Sequence, residues 1–154
     1  MSRLPAKTIV WRPLLRKIEA TRLDSTPGSY PPDDTGSSGL AVAKAAKGEG
    51  LISSYAHAFG IDHALAALMA GPVICGTNWY EGMFTPDPKG LVTISGALAG
   101  GHEWALVGVN VTTRILTSLN SWGSSWGDKG KFYMSWATFT RLLAQQGDVT
   151  VPSR

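Results

Sequence analysis

The sequence holds one cysteine, Cys75, among its 154 residues. A single thiol excludes an intrachain disulfide and a cysteine-rich zinc site, and it fits a reducing compartment. Charge is sparse as well. Asp, Glu, Lys and Arg make up 16% of the chain against 44% apolar residues, a balance that belongs to a folded domain and not to a disordered one. No stretch approaches the roughly eighteen consecutive apolar residues that cross a bilayer, so no membrane partner is expected. The basic N-terminus is not followed by an apolar run with a small-residue cleavage site, and no signal peptide is expected either. His57 and His63 have no cysteine or paired carboxylates beside them, so no metal and no cofactor is expected. Glu81, Asp87 and Glu103 form no acid/base pair by spacing, and no phosphate-binding glycine loop is present.

What is present points to a turn-rich sheet protein with aromatic packing: 18 glycines, 9 prolines and 6 tryptophans. The net charge of +3 is unevenly spread, with +5 in residues 1–22 and −2 in the rest. Residues 1–23 therefore read as a basic arm or docking segment and residues 24–154 as the main body. Basic and aromatic residues do not interleave elsewhere, so nucleic acid is not the expected partner.

In the arm, "KTIVW" suggests a short strand. "PLLRKIEATRL" suggests a helix with Leu14, Leu15, Ile18 and Leu23 on its apolar side. "DSTPGSYPPDDTG" is loop. "SSGLAVAKAAKGEG" predicts a helix capped by Ser37 or Ser38, with Asp33 and Asp34 near its positive end and Gly48 and Gly50 as stops. "IDHALAALMAG" predicts a second helix that buries Leu65, Leu68 and Met69. The period then changes to that of strands in "PVICGTNW", "GLVTISG", "WALVGVNV", "RILTSLNSW" and "KFYMSW", before a last helix in "TFTRLLAQQG". Helices followed by an antiparallel sheet of four or five strands make this α+β.

His102 follows Gly100 and Gly101 and opens a predicted strand; Asn120 ends another, eighteen residues later. If the two strands pair as a hairpin, the Asn oxygen can accept the proton of one imidazole nitrogen and fix the tautomer. Trp122 and Trp126 would keep water from that bond. Gly100 and Gly101 would let the backbone come close to a partner. A lone histidine is otherwise most simply a structural one.

The string Gly101-His102, a strand, then "NSWGSSWGDKG" from Asn120 to Gly130 resembles the papain-like cysteine peptidases. "AGPVICGTNWYEGMF" and "YPPDDTGSSGLAVAKAAKGEGLISSY" resemble that family more loosely, so the likeness runs from about residue 24 to residue 147. It is nearest in character to proteins of phages that infect actinobacteria. The resemblance implies the family's right-hand lobe, short helices followed by a twisted antiparallel sheet or partial barrel. It implies His102 as general base and acid, Asn120 as its orienting partner, and Trp122 as their shield, with Trp126 and Gly101 in supporting positions.

The family's nucleophile is a cysteine at the start of a long helix, with an oxyanion-hole glutamine just before it. Residues ahead of Asp24 hold neither a cysteine nor a glutamine. Cys75 lies in a predicted buried strand, where a thiol is usually an inert small hydrophobe. Ser38 sits where an N-cap is expected, and a hydroxyl ionises far less readily than a thiol. The expected function is thus a catalytically incomplete papain-like domain with a structural or protein-binding role, in a phage virion or its assembly or in the bacterial cytoplasm. The alternative is half of a split cysteine peptidase or amidase whose cysteine another chain supplies. Either way a protein partner, or a second copy, would cover the face that meets the nucleophile lobe in the family.

Overall fold

The computed structural model describes residues 19–24 and 36–154. The expected strand over 7–11 and the start of the basic helix lie outside them, as does the loop over 25–35. The chain divides into two compact units, residues 1–55 with 153–154, and residues 56–152.

In the first unit, residues 19–23 are helical, and α1 (Gly39–Gly48) follows. Ser38 caps α1: its hydroxyl accepts from the Ala41 N–H at 3.3 Å, satisfying one of the donors that a helix start leaves open. Ala41 and Ala45 pack with Ala20, small side chains that allow close backbone approach. In residues 19–23 the buried positions are Ala20 and Thr21. Leu23, expected on the apolar side, is 40% exposed.

The second unit holds most of a six-stranded sheet: β1 (Ser54–Ala58), β2 (Val73–Tyr80), β3 (Leu98–Asn110), β4 (Ile115–Leu119), β5 (Lys131–Ser135) and β6 (Asp148–Ser153), with Ser54, Tyr55 and Ser153 assigned to the first unit. Their order in space is β1-β6-β2-β3-β4-β5. The pairs β2–β3, β2–β6, β3–β4 and β4–β5 are antiparallel. Helices α2 (Gly60–Leu68) and α3 (Trp136–Ala144) complete the unit, with a 3-10 turn at Glu81–Phe84. Ser135 caps α3 through the Thr138 N–H at 3.1 Å. Val73, Cys75 and Trp79 of β2, Trp104 and Leu106 of β3, Leu116 of β4, and Phe132 and Met134 of β5 form one core with Phe139 and Leu142 of α3 and Ala64 of α2. The alternation along β5, exposed-buried-half-buried-buried, is the period of two that puts Phe132 and Met134 on one face.

Three more expectations are corrected. Met69 is 83% exposed, because α2 ends at Leu68 and turns its buried residue, Ala64, inward one turn earlier. "GLVTISG" is not a strand. Leu91 makes one isolated parallel bridge to Tyr133, and Asp87 Oδ1 accepts the N–H groups of Lys89 and Leu91, both at 2.8 Å, folding the segment as a strap that still buries Val92. The sheet has six strands, since β1 and β6 were not anticipated.

These placements separate two residues that the sequence alone treats alike. Phe132→Ala should cost about 3–5 kcal/mol, the usual range for emptying a buried aromatic site. Met69→Ala should stay within about 0.5 kcal/mol, as exposed positions do. Urea unfolding of both variants checks this; equal losses would put Met69 in the core.

Candidate active site

The hairpin β3–β4 brings His102 and Asn120 together. Pairing runs from Asn110 opposite Ile115 back to Ala105 opposite Leu119, so the end of β4 arrives beside the first half of β3. His102 does not open its strand: β3 begins four residues earlier, at Leu98, and His102 lies opposite Thr77 of β2. Past Leu119, the Asn120 N–H donates to the Gly130 carbonyl at 2.9 Å and closes the 121–130 loop at its neck. The glycines of the loop have steric reasons. Gly127 has φ +58, and a Cβ there would run into the Lys131 carbonyl oxygen; Gly130 has φ +84, with the Gly123 carbonyl 3.3 Å from where a Cβ would stand.

His102 Nε2 and Asn120 Oδ1 are 3.0 Å apart. The same Oδ1 accepts the Ser121 backbone N–H at 2.7 Å, and only an oxygen can do so. The Asn120 amide is therefore oriented by its own backbone, and Nε2 must carry the proton it donates. Nδ1 is left as the ring's acceptor, and no hydrogen bond among the described residues uses it. Trp122 lies over the imidazole with centroids 4.5 Å apart and planes 32° apart. Burial lowers the His102 pKa below the ordinary imidazole value, and the Asn120 hydrogen bond offsets only part of this. The ring thus resists protonation, with Nδ1 as its open acceptor position.

Of the other expected residues, Trp126 does not touch His102. It packs edge-on against Trp122 at 4.9 Å, and its indole N–H donates to the Phe84 carbonyl at 2.8 Å. Gly101 faces open space, with nothing within 4 Å of a Cβ built on it. Ser38 is in the first unit and spends its hydroxyl on the α1 cap. Cys75 is fully buried in β2, opposite Trp104 and Val149. Burial first, then Glu103 and Asp148, hold its thiol well above the usual range, which disfavours the thiolate. No group of three His, Cys, Asp or Glu among the described residues could hold a metal ion.

Two aromatic residues of the site were not singled out from sequence. Phe84 stacks on Trp122 at 5.3 Å and 11°, and Trp79 meets the imidazole at 4.7 Å and 67°. Both fall within the "GTNWYEGMF" stretch that resembles the peptidase family.

Comparison with known proteins bears on the fold. No protein-family model matches the sequence. Over 80 residues, 48% of this chain, it is 34% identical to an uncharacterized peptidase C1-like protein of Acanthamoeba polyphaga mimivirus, of which it covers 26%. Among solved structures, xylellain, a cysteine protease from Xylella fastidiosa, superimposes on 86% of the chain with a TM-score of 0.58 and 24% identity. This chain has a papain-like fold. Its α+β architecture is that of the papain-like right-hand lobe. The bromelain protease from Ananas comosus (TM-score 0.50, 17% identity, 66% of this chain) and a Carica candamarcensis cysteine protease (0.51, 16%, 67%) share it. The papain-like chain spans about half the length of these proteases, 52%, 50% and 49% respectively.

The pH dependence has a definite sign. The fold lowers the His102 pKa, so the folded state resists protonation, and stability from the neutral ring is complete above the unfolded value of about 6.5. It is lost as pH falls through the folded value. In long-range 1H–15N spectra His102 should show one tautomer, protonated at Nε2, titrating below about 6.5; Asn120→Ala should mix the tautomers. A ring that stays purely Nε2–H in Asn120→Ala would mean that the amide does not set it.

Proposed function

We propose that this lobe supplies the base of a papain-like cysteine hydrolase whose attacking thiol comes from a cysteine other than Cys75, carried on another segment or another chain. The observation that supports the reading is the His102–Asn120 pair at 3.0 Å, oriented by the Ser121 N–H and covered by Trp122. A histidine kept only for packing has no need of an amide fixed in that sense. In the reaction, His102 Nδ1 takes the thiol proton, and the thiolate sulfur bonds to the substrate carbonyl carbon. As the intermediate collapses, the carbon–nitrogen bond breaks and the imidazolium returns its proton to the leaving amine. Water then hydrolyses the thioester with His102 again as base. Asn120 keeps the ring in one tautomer through both steps. On this reading the 154 residues alone do not cleave peptides.

A second reading is favoured by exposed apolar groups at the site, Phe84 at 46%, stacked on Trp122, and Leu119 at 42%, next to Asn120 in the chain. It is a structural or protein-binding role without chemistry, as a phage virion or assembly component, with a protein partner or second copy on that face.

The two differ in thiol reactivity. In the assembly recovered with the natural-length protein, a cysteine paired with His102 should alkylate with iodoacetamide at about pH 5–6, because an adjacent imidazolium stabilises the thiolate. His102→Ala should abolish both that reactivity and amide hydrolysis. If every cysteine in the assembly reacts only above about pH 8, as free thiols do, the hydrolase reading fails and the binding role stands.

A further inference from the structure

Hydrogen bonding fixes one point of the His102 ring but not its plane. Only two aromatic rings contact the imidazole among the described residues, Trp122 and Trp79. Their planes are 86° apart with centroids at 5.6 Å, so the two indoles form a corner. The imidazole sits in it, tilted 32° to one wall and 67° to the other.

The walls are anchored differently. Trp122 belongs to the glycine-bearing loop 121–130 and is half-buried. Trp79 is 1% exposed and is the largest fully buried side chain described. It stands near the end of β2, opposite Gly100, two residues beyond the Thr77–His102 pair, and leans diagonally toward the imidazole. Behind it lies Phe132 of β5, 5.5 Å away and edge-on. Trp79 touches His102 and is itself a buried member of the core of the sheet, whereas Trp122 packs on that core from the loop, half-buried.

Trp79 packs against Phe84, Trp122 and Phe132 as well as His102. Its Nε1–H is buried without a hydrogen-bond partner, a defect that phenylalanine or leucine would not carry. What the indole adds is a second ring, and hence reach toward the imidazole.

We propose that Trp79 is a positioning residue for His102, the rigid wall that prevents the imidazole from turning about its Cβ–Cγ bond and so keeps Nε2 toward Asn120. A half-turn would bring Nδ1 to the side of Asn120 and carry Nε2 away from it. This rests on the proposed base role of His102 for its functional meaning, though the ring's orientation can be read without any thiol present.

The experiment is long-range 1H–15N spectroscopy of the full chain and its variants through a pH titration. In the parent chain one Nε2–H tautomer is expected. Trp79→Leu should give mixed tautomers, with the titration midpoint moving up toward that of free imidazole. Trp79→Phe, which keeps one ring, should fall between. Phe132→Leu, which touches Trp79 and not His102, should reduce stability while leaving the His102 tautomer as in the parent. A folded Trp79→Leu with parent-like His102 signals overturns the proposal. Should that variant not fold, Trp79→Phe decides: an unchanged His102 overturns it and a shift toward mixed tautomers supports it. An equal disturbance by Phe132→Leu would also overturn it, reducing the effect to general loosening. Failure here leaves the hydrolase reading standing, and failure of the alkylation experiment leaves the ring-positioning result intact.

Discussion

The site depends on the direction of one side-chain amide. Asn120 Oδ1 receives two N–H groups, one from the backbone of Ser121 and one from His102. The first settles which end of the amide is oxygen, and that settles which imidazole nitrogen is protonated. Nothing in the ring itself prefers this tautomer strongly, so the backbone after β4 in effect chooses the proton's place. The loop that supplies this backbone is in turn closed by the hydrogen bond from Asn120 N–H to Gly130 and by glycines where side chains would collide with carbonyls. A proton's position is thereby traced to loop geometry.

The sheet does the rest by register. His102 is placed opposite Thr77, and Thr77 is itself occupied, its hydroxyl accepting the Trp104 indole N–H at 3.0 Å inside the core. Along this face of β2 the residues step from Val73 through Cys75 to Thr77 and Trp79, all buried to within a few per cent. The lone thiol and the imidazole thus belong to one sheet face, yet Cys75 is two residues deeper and opposite Trp104, where a charged sulfur would have no solvation. Desolvation at that depth disfavours the thiolate.

Much of this was legible because the informative residues are local. The Asn120–Gly130 string carries its own turn chemistry, and the strand pattern after His102 leads straight into the hairpin that closes the pair. Ser38 as an N-cap was legible for the same reason. Features that depend on long-range pairing were not. In "DVTVPS" the proline argues against an interior strand, but β6 meets β2 only through Asp148, Val149 and Thr150, leaving Pro152 clear of that ladder. "SYAHA" has no alternating burial to announce β1. "GLVTISG" alternates well, yet its backbone is satisfied by Asp87 and by Tyr133, with the Val92 N–H reaching the Tyr133 carbonyl at 2.9 Å. The Trp79–His102 contact requires the register of two strands together with a bulge after Trp79, and no short motif encodes it.

The strand order has a consequence for how the chain comes together. β6 is last of the six in sequence but second in space, between β1 and β2. Until it arrives, β1 has no neighbour in the sheet and one flank of β2 is an open row of N–H and C=O groups. A ribosome releases the His102–Asn120 hairpin well before the strand that seals this gap, so the local site can form while the sheet is still unlocked. Such late, distant pairing is slow, and it leaves a sticky edge during synthesis. In the order of the sequence, β6 is thus the strand that closes the gap between β1 and β2.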